Sequence, residues 1–353
     1  MSTIAWISPD TPPDASMLGG KGAGLASLAA AGLRVPPAFV ITTEAYRRAV
    51  AEPLGEELER ALATIPDRAP DAELERAAAA ARERILAVPE RHGLRDEIET
   101  AYARLGAEAG EDPAPVAVRS SATGEDSGGQ SFAGGHDTHL WVVGADEVQA
   151  RVRECWASLY TARAVSYRAH GGLVDEAVMG VVVQQMADAR SAGVFMTLDP
   201  SNGDRSSVVV ESVWGLGEPL VSGQATPDRF VVNKITGDVV RRQIALKPAE
   251  LVRDPASGRG TVQREVPADR RERSSLESAE LDELVRMARV LEELAGAPQD
   301  CEFAVTAGEP PENVRLLQCR PETVWSQRKP RTIAGRRSAL QSVLNTLTGE
   351  DRA

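Results

Sequence analysis

Polar side chains alternate along two short β-strands that are predicted near the carboxyl end of the chain, separated by a loop containing glycine and proline. Because strand side chains alternate between faces, Asp300 and Glu302 point the same way on the first strand. By the same rule, Gln318 and Arg320 share one face of the second strand. If the two strands pair, we expect two carboxylates, an amide and a guanidinium to lie together.

A cluster of this composition between buried strands is costly unless it serves a purpose. Carboxylate and amide oxygens suit Mg²⁺, an ion that also takes ligands from nucleotide phosphates. An arginine beside them would neutralise phosphate charge. A structural salt bridge between Arg320 and Glu302 is the alternative. Cys301 and Cys319 fall on the opposite face and are predicted to be small core residues.

A glycine-rich segment with a single lysine runs from Gly19 to Gly24 and leads into a predicted helix. Glycines let the backbone approach a phosphate, a helix N-terminus favours anions, and Lys21 supplies a positive charge. The segment has neither the P-loop spacing nor the G-x-G-x-x-G pattern, since Leu25 follows Gly24. A plain glycine-rich turn is the alternative.

Two further strand ends carry side chains that suit a nucleotide. Arg119 is followed by Ser-Ser-Ala-Thr, and its guanidinium with these hydroxyls predicts an anion-binding nest. An ordinary polar loop is the alternative there. The apolar run Val181–Val183 ends in Gln184 and Gln185, whose strand end can present an amide to an adenine edge. A core strand that emerges into solvent is the alternative.

Apolar periodicity and glycine or proline positions predict the elements that hold these residues. Helices are predicted in the second half of 15–34, in two or three segments of 44–110, and over 146–169 and 276–296, the last with an apolar stripe of Leu281, Leu284, Val285, Ala288, Leu291 and Leu294. Strands are predicted at 39–41, 116–118, 178–186, 192–197, 207–211, 301–305 and 314–319, with a hairpin formed by 230–234 and 239–244. Residues 251–274 are predicted to be a polar surface excursion.

The composition is ordinary for a globular protein, with 42% hydrophobic and 26% charged residues among 353. A net charge of −12 argues against a general nucleic-acid surface. No stretch approaches the length of a membrane span, the amino-terminal sequence has no signal-peptide pattern, and three cysteines form no framework. We therefore expect a cytoplasmic protein with no membrane or nucleic-acid partner. Lysine is rare in this chain, so each of the four either has a role that arginine cannot fill or remains by chance: Lys21, Lys234, Lys247 and Lys329.

The chain resembles the N-terminal nucleotide-binding domain of the family of phosphoenolpyruvate synthase, pyruvate phosphate dikinase and rifampicin phosphotransferase. Eight segments carry the resemblance in order, from about Leu18 to Thr323: GGKGAGLASLAAAGLRVPPAFVITTEAY, VAVRSSATGEDS, SFAGGHDTHL, VVVQQM, AGVFMTLDP, ESVWGLGEPLVSGQATPDRFVV, QDCEF and LLQCRPET. The resemblance implies an α+β ATP-grasp fold with two lobes around ATP. We expect residues 1–205 to form the N-terminal lobe, 206–325 the C-terminal lobe with the Mg-ATP ligands, and 326–353 a basic linker or tail.

The resemblance also implies roles for residues on the phosphate and base sides of ATP. Lys21 and Arg119 match positions that hold the phosphates. Gly134 and Thr138 match the loop that closes over them. Gln185 matches the position beside the adenine.

Four residues of the closing strands match the metal side of the family's site. Glu302 and Gln318 match the Mg²⁺-binding positions, and Arg320 matches the arginine that closes the site. Asp300 matches a neighbouring acidic position. The resemblance therefore assigns catalytic roles to Lys21, Arg119 and Arg320.

The chain also departs from the family pattern. Gly135 stands where a glutamine is usual, and Phe303 where a tryptophan is usual. Family enzymes pass phosphate to a histidine in a glycine-rich motif, and none of the four histidines has that context: His92, His136, His139 and His170. His136 and His139 flank the expected phosphate loop, where a surface or packing role is the alternative to phosphate contact.

Three hypotheses follow from the resemblance. In the first, the chain is a phosphotransferase component that phosphorylates a histidine on a separate partner, which passes the phosphate to an acceptor-binding protein. In the second, it is a complete kinase for a small molecule or an antibiotic. In the third, it is a non-catalytic nucleotide-binding module.

Overall fold

A computed structural model describes residues 2–63, 65, 69–89, 92–123, 138–162, 178–323 and 325. Residues 1–322 make one compact unit and residues 323–353 a second, of which Thr323 and Trp325 are described. Helices and antiparallel sheets both occur, as expected of an α+β chain. None of the helices in these ranges has the length and apolar composition needed to cross a bilayer.

The first sheet has five strands, and every neighbouring pair is antiparallel. Its strands are β1 (Ile4–Trp6), β2 (Ala38–Ile41), β3 (Val116–Ala122), β4 (Thr138–Val142) and β5 (Met179–Gln185), in the order β1-β2-β5-β3-β4. Val181 and Val183 pack into one core, whereas Val182 packs into another. Burial on both faces explains why this strand is a continuous apolar run rather than an alternating one.

Helices cover one face of this sheet. They are α2 (Thr43–Tyr46), α3 (Glu52–Ala63), α4 (Asp71–Leu86), α5 (His92–Ala109) and α6 (Ala145–Ala157), with a π-helical turn at Arg47–Ala51 between α2 and α3. Their apolar side chains form the first core with alternate residues of β2, β3 and β5. The helix predicted over 146–169 ends at residue 157, and residues 163–169 lie outside the described ranges.

The second sheet has six antiparallel strands and holds the acidic residues singled out in the sequence. They are β6 (Ser191–Met196), β7 (Ser207–Trp214), β8 (Asp228–Asn233), β9 (Val239–Gln243), β12 (Gln299–Val305) and β13 (Val314–Pro321), in the order β13-β12-β6-β7-β8-β9. Because β6 pairs with β7, the sheet changes between residues 185 and 191. Residues 205 and 206, where the lobe boundary was predicted, lie between β6 and β7, and the boundary itself stays a prediction.

Residues 249–265 form a hairpin where only a polar surface excursion was predicted. Its strands β10 (Ala249–Arg253) and β11 (Thr261–Glu265) pair with each other, and every residue of β11 is exposed. A strand with no buried face gives no apolar alternation, so its sequence carries no strand signal.

One helix lies between the two sheets and one caps the second sheet. The first is α1 (Ala15–Ala30), whose buried leucines share a core with both sheets. A short helix, α7 (Glu218–Val221), follows β7. The second long helix is α8 (Ser278–Ala295), which begins at a capping box of Glu277 and Glu280 and ends at Gly296 in the left-handed conformation. Its predicted stripe is buried except for Leu294, which is exposed.

Candidate functional site

The two closing strands pair as the sequence predicts. Asp300 lies directly opposite Arg320 and Glu302 directly opposite Gln318 in the antiparallel register of β12 and β13. Directly opposed residues share a face, so the two carboxylates, the amide and the guanidinium are neighbours.

Arg119 reaches this cluster from the other sheet. Its Nη2 donates to Glu302 Oε2 at 2.6 Å and to Gln318 Oε1 at 3.2 Å, and its Nη1 donates to the carbonyl of Leu317 at 3.4 Å. The Arg119 side chain is 11% exposed and that of Glu302 is 27% exposed. A positive group from β3 is thus held by the same two oxygens that were predicted to hold a metal ion.

The structure pairs Arg320 with Asp300, the residue opposite it. Arg320 donates from Nε and Nη2 to Asp300 Oδ2, at 3.0 and 2.8 Å. Each carboxylate therefore has its own arginine, Asp300 from the same sheet and Glu302 from the five-stranded sheet.

The two carboxylates differ in their acidity. Burial raises the pKa of Glu302, but the charge and hydrogen bond of Arg119, with the charges of Lys21 and Arg320, together hold it below its usual value. Burial raises the pKa of Asp300, and Arg320 offsets this only in part. The Glu302 carboxylate is therefore held in its ionised form, the form in which it can bind a cation.

The glycine-rich segment is mostly helical, where a loop was predicted. The helix α1 breaks only at Gly19, whose φ of 70° and ψ of 175° are non-helical. A Cβ at Gly19 would lie 1.8 Å from the carbonyl oxygen of Ser121, so a larger residue cannot take this place. Ser121 fixes the break, since its hydroxyl donates to the Leu18 carbonyl and accepts from the Gly22 amide.

The break creates a new helix start beside β3. Backbone amides at a helix start carry partial positive charge and bind anions. Lys21 lies in this first turn, and its charge reaches Glu302. Gly24, further along α1, lies against β13, where an added Cβ would be 2.7 Å from the Cys319 carbonyl oxygen. Close helix-to-strand contact therefore brings Lys21 toward the closing strands.

The structure separates the two glutamines at the end of β5. Gln184 is paired with Ala117 and Val182 with Arg119, so Gln184 lies on the Arg119 face of the sheet. Its side-chain Nε2 is buried and has no hydrogen-bond partner in the described part of the chain. Gln185 lies on the opposite face, toward the helical core, and its role beside the adenine stays a prediction. The sequence alone shows that Gln184 and Gln185 point to opposite faces of the strand. It does not show which of these faces Arg119 shares.

The remaining predicted residues lie in or beside the segment that was expected to close over the phosphates. Thr138 is exposed at the start of β4, where it lies opposite Arg119 of β3. Gly134 and His136 lie outside the described residues. His139 Nε2 lies 3.4 Å from Glu154 Oε2 on α6, a contact that fits a packing role.

The donor set fits a divalent cation that is shared with a ligand. Glu302 and Gln318 offer two oxygens, and the described residues contain no group of three His, Cys, Asp or Glu side chains able to hold a metal by themselves. Mg²⁺ commonly takes one or two protein oxygens and fills its other positions with water and phosphate oxygens. Arg119 contacts both oxygens, and the charges of Lys21 and Arg320 act on Glu302. Three positive side chains around these oxygens suit a polyphosphate.

Comparison with known proteins agrees with this chemistry. Residues 15–339 match the model of the pyruvate phosphate dikinase AMP/ATP-binding domain. Phosphoenolpyruvate synthase of Aeropyrum pernix is 40% identical over 355 residues, covering 92% of this chain and 43% of its own length. The prodigiosin synthesizing transferase PigC of Serratia marcescens is 40% identical over 328 residues, covering 93% of this chain and 34% of its own. The chain thus spans less than half the length of either relative.

Among solved structures, a dinucleotide-forming acetyl-coenzyme A synthetase from Ca. Korarchaeum cryptofilum shares 15% identity. The match covers 64% of this chain and 82% of that one, and its TM-score of 0.33 is too low to support an argument about the fold. The family match and the sequence relatives cover nearly the whole chain. The chain therefore belongs to the phosphoenolpyruvate synthase and pyruvate phosphate dikinase family, as its AMP/ATP-binding domain.

Proposed function

We propose that the chain binds Mg-ATP in a two-lobed ATP-grasp arrangement and passes a phosphoryl group to a histidine on a separate partner protein. The observation that carries the proposal is the bridge from Arg119 to Glu302 and Gln318. A cation from one sheet and two cation-binding oxygens from the other meet at one point, where a polyphosphate and its metal ion can satisfy both.

The phosphates would lie between the start of the second stretch of α1 and β13. Amides after Gly19 and the Lys21 ammonium face them from one side, while Arg119 and Arg320 supply guanidinium groups from the other. Gly134 and Thr138 would belong to the loop that closes over the phosphates. Closure would exclude water from the transferring group.

Glu302 and Gln318 would hold the magnesium ion. The ion would supply positive charge to the phosphate oxygens when bound. In this structure Arg119 donates hydrogen bonds to the same two oxygens. Its guanidinium would therefore have to leave them for the phosphates when Glu302 and Gln318 hold the ion. A carboxylate that stays ionised at neutral pH is the form that a cation needs, and the lowered pKa of Glu302 supplies it.

Gln184 replaces Gln185 as our candidate for the adenine side. A buried amide donor with no partner is costly, and a ligand acceptor would remove that cost. The purine edge offers such acceptors. This assignment rests on the shared face of Gln184 and Arg119.

The chain's contribution to phosphoryl transfer would be positioning and electrostatics. Lys21, Arg119 and Arg320 would offset the charge on the transferring group and hold it in line with the incoming imidazole. The acceptor that finally receives the phosphate would be bound by another protein. A reducing, cytoplasmic setting fits this role and stays a prediction.

Calorimetric titration of Mg-ATP tests the binding step. The wild-type chain is compared with Glu302→Gln, which removes the charge but preserves the shape. Glu75→Gln is the matched control, because Glu75 pairs with Arg82 on α4, on the helical side of the five-stranded sheet. We expect wild-type and control binding to agree and Glu302→Gln to bind at least tenfold more weakly. A folded wild-type chain that does not bind Mg-ATP would contradict the proposal.

Transfer is tested separately with labelled ATP and a histidine-bearing partner. The portion of the Aeropyrum pernix relative beyond the matched region serves as a surrogate partner. Label that appears on the partner as an acid-labile, base-stable phosphoramidate supports transfer to histidine. Turnover of ATP with a small acceptor and no partner would favour the stand-alone kinase instead.

A further inference from the structure

Two thiols face each other between the residue pairs of the closing strands. Cys301 lies directly opposite Cys319 in the register of β12 and β13. The Cys301 thiol donates to Cys319 Sγ at 2.8 Å, and the Cys319 thiol donates to Gln299 Oε1 at 3.3 Å. Directly opposed strand residues have Cβ atoms about 4.5–5.5 Å apart, close to the separation that a disulfide spans. Little backbone movement is needed to join these sulfurs.

The two thiols differ in access. Cys301 is 1% exposed, whereas Cys319 is only partly buried, at the edge of the core. An oxidant dissolved in water therefore reaches Cys319 first. The third cysteine, Cys155, is buried in the other core on α6, so it is not a competing partner.

We propose that Cys301 and Cys319 are a modification site at which a peroxide forms an intramolecular disulfide. The peroxide oxidises the Cys319 thiol to a sulfenic acid and is itself reduced to water. The Cys301 sulfur then attacks the Cys319 sulfur, the S–O bond breaks, and the hydroxyl leaves as a second water with the Cys301 proton. Two thiols and one peroxide thus give one disulfide and two waters.

The bond would act on an edge strand. β13 is the last strand of the six-stranded sheet and carries Gln318 and Arg320, so only β12 holds it within that sheet. Edge strands open more readily than central ones because they lack a full ladder of hydrogen bonds on their outer side. On that side of β13, the Leu316 amide donates to the Arg34 carbonyl at 2.8 Å. A covalent link at Cys319 would tie β13 to β12 between the two polar pairs. Oxidation would therefore suppress local opening of the strand that bears the proposed nucleotide ligands.

The test uses the full chain with Cys155→Ser, so that only the two thiols remain, treated with hydrogen peroxide and compared with its reduced form. Trypsin separates the thiols, since Arg315 lies between them. We expect loss of both titratable thiols, a mass lower by two hydrogens, and a linked peptide pair of 290–315 and 316–328. Amide exchange over 314–321 should slow, and the melting temperature should rise by roughly 5 °C.

Cys319→Ser serves as the second variant, because its partly exposed position tolerates a small polar replacement. In that variant the buried Cys301 should stay reduced and peroxide should leave exchange over 314–321 unchanged. The proposal fails if the two thiols survive, if Cys319 stops at a sulfinic acid, or if the disulfide joins two chains. It also fails if the disulfide forms but exchange is not slowed. None of these readouts depends on nucleotide, so they are independent of the proposed function.

Discussion

Two ion pairs that each involve a carboxylate of the six-stranded sheet have similar composition and opposite surroundings. Lys247 and Asp228 are almost fully buried, at 2% and 0% exposure, while Arg119 and Glu302 stay partly open to solvent. Asp228 Oδ1 accepts from Lys247 Nζ and the Ala245 amide, and Oδ2 accepts from the amide and hydroxyl of Ser275. Each carboxylate oxygen of Asp228 thus accepts two hydrogen bonds from the protein, which leaves no room for a ligand.

The Arg119 and Glu302 pair is incomplete by comparison. The Arg119 Nε is buried and has no hydrogen-bond partner within the described ranges. The pair also joins two different sheets, since Arg119 lies on β3 and Glu302 on β12. A closed pair fixes a fold, whereas an open pair with a spare donor can exchange its partner for a ligand. The difference separates a structural lysine from a candidate functional arginine, although both are positively charged and both pair with a carboxylate on a strand.

Breaking the closed pair should give the largest effect. Asp228→Asn leaves the Lys247 charge buried without compensation, and we expect a loss of about 3–5 kcal/mol in the free energy of unfolding. Urea unfolding measures it. The double variant with Lys247→Met should recover part of the loss, because the uncompensated charge is gone. If Asp228→Asn lowers the free energy of unfolding by less than about 1 kcal/mol, the pair is not isolated from solvent.

Breaking the open pair should affect binding far more than stability. We expect Glu302→Gln to weaken Mg-ATP binding at least tenfold, because it removes a proposed metal ligand. Its effect on unfolding should be only about 1 kcal/mol, since the pair is partly solvated. Urea unfolding beside the calorimetric titration gives both values. A stability loss as large as that of Asp228→Asn would assign Glu302 a structural role.

The close approach of α1 to β13 is tested by adding one methyl group. Gly24→Ala places a Cβ 2.7 Å from the Cys319 carbonyl oxygen, and we expect a loss of about 1–3 kcal/mol as the helix shifts. Gly55→Ala is the matched control on α3, where a Cβ would meet nothing within 4 Å, and it should be neutral or stabilising. If the two variants change the stability in thermal unfolding equally, the close approach is not the reason for glycine at position 24.

The two glutamines of β5 give a smaller contrast. Gln184→Leu removes the unpartnered donor on the Arg119 face and should weaken Mg-ATP binding roughly threefold to tenfold. Gln185→Leu lies on the opposite face and should change binding by less than twofold. Calorimetry on both variants decides between them. The reverse order would restore Gln185 as the adenine-side residue.

The pH dependence of the open pair should be the smallest effect. The folded pKa of Glu302 lies below its ordinary value of 4.5, so the unfolded chain takes up the proton first as the pH falls. The contribution to stability is therefore complete above pH 4.5 and is lost as the pH falls through the lowered folded value. The stability difference between wild type and Glu302→Gln, from urea unfolding at several pH values, should shrink over that range. A difference that grows on acidification would contradict the lowered pKa.

Several features followed from local sequence alone. The alternation that placed Asp300 with Glu302, and Gln318 with Arg320, is a property of any strand, and the register confirmed it. The stripe of α8 was likewise readable, apart from its exposed last leucine. The hairpin at 249–265 was not, because exposed strands carry no burial pattern.

Local sequence patterns were enough to predict the two polar strands, the glycine segment with its lysine, and the family to which these motifs belong. They could not predict which arginine meets Glu302, since Arg119 lies 183 residues away along the chain and arrives from another sheet. The fold settles that contact. It also decided which glutamine of β5 shares the face of Arg119, and that the glycine segment breaks a helix instead of forming a loop. Local periodicity fixes which residues point the same way, whereas the packing of α1 between two sheets fixes what they point at.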